Sequence, residues 1–71
     1  MEGTVIKIQV NGKEEQVANG CSLKELLVQK RINPNVVACE LNLAIVKRAH
    51  LDQTKLNEGD SLEIIQMIGG G

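Results

Sequence analysis

The 71-residue chain contains no Phe, Tyr or Trp, one proline, one histidine and two cysteines. Without aromatic rings it lacks the platforms on which single-stranded nucleic acids stack. Its core must be wholly aliphatic, and it absorbs almost nothing in the near ultraviolet. Eight Lys and Arg against nine Asp and Glu give a net charge of −1 with the signs interspersed, so no basic field points to nucleic acid. No segment approaches the roughly 18 consecutive apolar residues of a membrane helix. Met1-Glu2-Gly3-Thr4 lacks the basic start and apolar stretch of a secretory leader. The expectation is a soluble, cytoplasmic protein. Cys21 and Cys39 are too few for a disulfide framework and are not spaced for a zinc site, which predicts reduced thiols. There is no phosphate-binding glycine loop, nucleophile elbow, HExxH, CxxC or EF-hand pattern. A free-standing enzyme is not expected, nor is a permanently bound cofactor or metal.

What is present is an apolar fraction of 42%, carried by Leu, Ile and Val and sufficient for one small core. Thr4, Ile6, Ile8 and Val10 alternate with Val5, Lys7 and Gln9, the period of a half-buried strand. Asn11-Gly12 follows, a strong hairpin signal because both central positions of a type I′ turn need positive φ. Residues 13–17 form the returning strand. Ser22 with Glu25 three places on is a capping-box pattern that opens a helix over about residues 22–31. Leu23, Leu26 and Leu27 share one face of it, with Val28 widening that face. Lys30 and Arg31 fall in its last turn, at the negative end of the helix dipole. Asn33-Pro34-Asn35 ends it. Residues 36–41 suit a buried strand, Asn42-Leu43-Ala44 a turn and Ile45-Val46 a short strand. Residues 47–55 show neither period and leave room for one helical turn. Asn57-Glu58-Gly59-Asp60 is a turn, and residues 61–68 form the last strand.

A hairpin, one helix and two or three further strands make a two-layer α+β domain, its sheet mixed and of four to five strands. The first and last strands are placed side by side and parallel in the centre. The domain is expected over residues 1–68, followed by a flexible tail, Gly69-Gly70-Gly71. Glycine has no Cβ, so such a tail can thread a narrow protein channel. Its working group would be the α-carboxylate of Gly71.

This order resembles the ubiquitin-like β-grasp fold. Val37-Ala38-Cys39-Glu40-Leu41-Asn42 followed by Ile45-Val46-Lys47-Arg48, then Glu58-Gly59-Asp60 and the glycine ending, is similar to the ThiS family of thiazole-pathway sulfur carriers. Leu43-Ala44 stands where that family often has glycine or charged residues, and Lys47 where proline is frequent. The resemblance implies a carrier without catalysis of its own. A ThiF-type adenylating enzyme would use ATP and magnesium to convert the Gly71 carboxylate into an acyl-adenylate. A persulfide donor would then yield a thiocarboxylate, delivered to a thiazole synthase of the ThiG type for thiamine biosynthesis. Gly69, Gly70 and Gly71 would enter the partners' active sites.

Strict alternation in the last strand turns Leu62, Ile64 and Ile68 to the core and Ser61, Glu63, Ile65 and Met67 to the opposite face. One helix covers one face only, which leaves Ile65 and Met67, with Ile68 beside the tail, as candidate docking residues. Cys21 is read as a hydrophobic staple on Leu26 and Cys39 as a small buried hydrophobe. Lys47 and Arg48 read as a solvated pair and His50 as a surface residue. Three other functions remain open on the residues: a related carrier for molybdopterin or another pathway, a ubiquitin-like modifier conjugated through Gly71, and a plain binding module.

Overall fold

The computed structural model describes residues 4–67. Among them are five strands and one α-helix: β1 (Val5–Val10), β2 (Lys13–Ala18), α1 (Leu23–Gln29), β3 (Val37–Leu41), β4 (Ala44–Val46) and β5 (Ser61–Gln66). The strands form one sheet in the order β2-β1-β5-β3-β4. β1 and β5 are parallel at its centre, and the other pairings are antiparallel.

Asn11 and Gly12 adopt φ of 51° and 84°, so the first hairpin turns as its Asn-Gly pair requires. β1 then presents Ile6, Ile8 and Val10 to the core and Val5, Lys7 and Gln9 to the other face.

The helix begins where the capping box places it. Ser22 Oγ accepts from the Glu25 amide at 3.0 Å, and the Ser22 amide donates to Glu25 Oε1 at 2.8 Å. That bond holds the Glu25 carboxyl below its ordinary pKa, helped by the charge of Lys55. The amides of Leu23 and Lys24 donate to the carbonyls of Thr54 and Leu51. The irregular segment between β4 and β5 thus satisfies the helix's free amides, while its Leu51 and Leu56 fill the core. It contains one 3-10 turn, Arg48–His50.

The helix ends earlier than the side-chain pattern implies. Arg31 takes φ of 60°, and the amides of Arg31 and Ile32 reach back to the carbonyls of Val28 and Leu27. This is a Schellman closure with arginine where glycine is usual. Lys30 is therefore the C-cap and Arg31 lies beyond it, so neither sits in the last turn. Lys30 instead pairs with Glu15 on β2 at 2.8 Å. Leu23, Leu26 and Leu27 are buried as expected, but Val28 is 60% exposed and does not widen the apolar face.

Three boundaries shift further on, one of them the end of the last strand, which stops at Gln66 and leaves Met67 outside it. Pro34–Val36 is a 3-10 turn, so β3 starts at Val37. Ala44 is a strand residue opposite Leu41, not part of the turn, because Asn42 and Leu43 alone reverse the chain at φ of 52° and 72°. The core lies between the helix and one face of the sheet, built on Ile8, Leu23, Leu26, Leu27, Leu56 and Leu62.

Candidate docking face and terminal strand

β5 lies between β1 and β3 and carries the residues singled out in the sequence. Leu62 is buried and Ile64 partly buried against the core. Ile65 is 45% and Met67 49% exposed on the face away from the helix. Ala38 stands opposite Ile65 across the β3–β5 pair, and the exposed Ile45 is carried on β4. Glu40 on β3 stands opposite both Glu63 and Ile45. An apolar patch with an acidic neighbour therefore occupies the open face at the end of the last strand. Ile68, Gly69, Gly70 and Gly71 lie outside the described residues.

On the β3 side the strand is held to its end, where the Met67 amide donates to the Val36 carbonyl at 2.8 Å. On the other side β1 stops at Val10, the partner of Leu62. Asn11 continues the ladder by two means. Its backbone amide donates to the Leu62 carbonyl at 2.9 Å. Its side chain grips Ile64 twice: Oδ1 accepts from the Ile64 amide at 2.7 Å, and Nδ2 donates to the Ile64 carbonyl at 3.3 Å.

Asn42 holds the start of β5 in a similar way. Its amide donates to the Ser61 carbonyl at 2.8 Å, and its Oδ1 accepts from the Ser61 amide at 2.9 Å. Its Nδ2 donates to Asp60 Oδ1 at 2.9 Å, while Asp60 Oδ2 accepts from the Asn57 amide at 2.8 Å. Both asparagines signal a turn in the sequence. Nothing local to either marks its reach to β5, 53 residues away for Asn11 and 19 for Asn42.

The remaining candidates divide between the core and the surface. Cys21 and Cys39 are buried free thiols. Burial pushes both pKa values up, with Glu25 adding to the rise at Cys21 and Lys55 opposing it. Protonated thiols of this kind are poor nucleophiles. Cys21 and Leu26 are both buried in the core cluster. Lys47, Arg48 and His50 are exposed. Among the described residues, no three His, Cys, Asp or Glu side chains converge to hold a metal, and no helix is long and apolar enough to cross a membrane. A cleft of about 640 Å³ opens on the helix side between the helix end and Ile64, away from Ile65 and Met67.

A single helix on a five-stranded mixed sheet with parallel central strands defines a ubiquitin-like β-grasp domain. The chain belongs to the ThiS family, whose model matches residues 4–71. Its structure is similar to the crystal structure of the thiamine biosynthesis protein ThiS from Geobacter metallireducens. That likeness has a TM-score of 0.82 and 32% identity, over 93% of this chain and 100% of the other. In sequence it is 36% identical over 66 residues to a thiazole synthase of Paramagnetospirillum magneticum, covering 93% of this chain and 20% of that protein. It is 38% identical over 66 residues to the uncharacterized protein ycf40 of Pyropia yezoensis, covering 93% of each. The chain thus spans about a fifth of the length of the thiazole synthase it matches.

Proposed function

We propose that this protein is a sulfur carrier for thiazole formation in thiamine biosynthesis, acting through the carboxylate of Gly71 and catalysing nothing itself. The family match, which runs through Gly71, carries this reading. The likeness to a ThiS and to part of a thiazole synthase supports the thiazole branch.

A free carboxylate is a poor electrophile. A ThiF-type enzyme would join the Gly71 carboxylate to AMP, using ATP with magnesium and releasing pyrophosphate. A persulfide would attack the resulting mixed anhydride, expel AMP and form an acyl disulfide. A second thiol would reduce its S–S bond, leaving the thiocarboxylate on Gly71 and a new disulfide on the thiols. The thiocarboxylate, ionised and nucleophilic as a thiolate is, would deliver its sulfur to a ThiG-type thiazole synthase. Gly69 and Gly70 would give the terminus its passage into both partners. Ile65 and Met67 would form the docking patch, with Ile68 as a further candidate contact.

The test is to incubate the protein with the adenylating enzyme, ATP and a sulfur source, alkylate thiols, and isolate the C-terminal peptide for mass analysis. An alkylated sulfur on Gly71 is expected. An unmodified Gly71, with the enzyme active on another carrier, overturns the proposal. Ile65→Asp tests the docking patch: the variant should fold normally and be adenylated about tenfold more slowly, since it places a charge in an apolar contact. Adenylation at the normal rate removes Ile65 from the interface.

A further inference from the structure

We infer that Asn11 is a positioning residue for the docking face, acting through the backbone of Ile64. The inference rests on the carrier reading above. In a strand the backbone groups of successive residues point to opposite neighbours. Those of Ser61 and Met67 are directed to the β3 side, by their bonds to Asn42 and Val36. Those of Leu62 and Ile64 are directed to the β1 side, by their bonds to Asn11. The same alternation aims the amide of Ile65 at β3, where Ala38 is its partner. The peptide joining Ile64 to Ile65 is therefore held from both sides, its carbonyl by Asn11 Nδ2 and its amide by β3. The peptide before it is held likewise, through the Ile64 amide on Asn11 Oδ1. These two planes set the direction in which the Ile65 side chain leaves the sheet.

β1 has ended at Val10, and the next backbone groups on this side of β5 belong to Gln66. Without the Asn11 side chain, the last turn of the ladder from Ile64 onward would hang from β3 alone. Docking would then have to order the strand as well as contact it, which weakens binding and leaves the step after binding untouched. The effect belongs in KM and not in kcat.

The experiment compares Asn11→Gly with Asn42→Gly in adenylation by a ThiF-type enzyme, read as pyrophosphate release, with the carrier as varied substrate. Glycine keeps the positive φ at both positions, so neither substitution adds backbone strain to its turn. Asn11→Gly should raise KM about five- to tenfold with kcat unchanged, the loss of two side-chain hydrogen bonds. Amide exchange at Ile64 should accelerate in parallel. Asn42→Gly loosens the start of β5 and should leave KM within about twofold of wild type, because Ile64 keeps its clamp. Asn11→Asp, which keeps the acceptor for the Ile64 amide and loses the donor, should fall between wild type and Asn11→Gly. An unchanged KM in Asn11→Gly overturns the inference and leaves the carrier reading standing. Equal KM rises in the two glycine variants also overturn it, because general loosening would then explain both. A wild-type protein that is not adenylated removes the carrier reading, and this inference with it.

Discussion

The two tight hairpin turns have nearly the same backbone and very different causes. Asn11-Gly12 and Asn42-Leu43 both reverse the chain with two left-handed residues. In the first, the second position is glycine, for which φ of 84° carries no penalty, so local chemistry alone suffices. In the second it is a leucine at φ of 72° whose side chain is 91% exposed and gains nothing from burial. A left-handed leucine costs about 1–2 kcal/mol. What offsets that cost is Asn42, with three bonds to Ser61 and Asp60, and Asp60 is nearly buried. One turn shapes its surroundings, and the other is shaped by them.

The sharpest way to break the contrast is Asp60→Ala. It removes two bonds to a carboxylate, those from Asn42 and Asn57, and should cost about 3 kcal/mol in urea unfolding. Far-ultraviolet circular dichroism must follow the transition, since the chain has no aromatic residue. A loss under about 0.5 kcal/mol would mean that the network does not hold the second turn. Next in size is Gly12→Ala, expected to destabilise by about 1–2 kcal/mol. A Cβ there meets nothing within 4 Å, so the cost is conformational and any excess would point to a contact not foreseen. Smallest, and opposite in sign, is Leu43→Gly. It relieves the left-handed strain and adds unfolded-state freedom, for a net gain of about 0.5 kcal/mol. A destabilised Leu43→Gly would show that leucine contributes something beyond its turn.

The same division explains what could be read from the sequence. The first hairpin, the capping box at Ser22 and Glu25, the alternation in β1 and the central parallel pair all follow from local pattern or from layer logic. So does the outward face of Ile65 and Met67, because one helix cannot cover two sides. The helix end does not follow: Arg31 occupies a position that glycine usually marks, and Lys30 is drawn to Glu15 across the fold. The place of Ala44 in β4 escapes for a similar reason, since the preceding turn is set by residues 18 and 19 positions away. The grips of Asn11 and Asn42 on β5 are tertiary as well. An asparagine that signals a turn says nothing of what its amide will meet.

The place of β5 in the sheet has a consequence for how the protein is made. The ribosome delivers the hairpin and the helix first, yet the strand that unites β1 with β3 comes last. Until it emerges, β1 has an open inner edge and the helix covers half a sheet. Residues 5 and 66 bound the sheet in sequence, so its closure joins the first strand described to the last. A partner that recognises the outer face of β5 thereby inspects the whole domain. It meets that surface only on a chain whose synthesis has passed the last strand and whose halves have found each other.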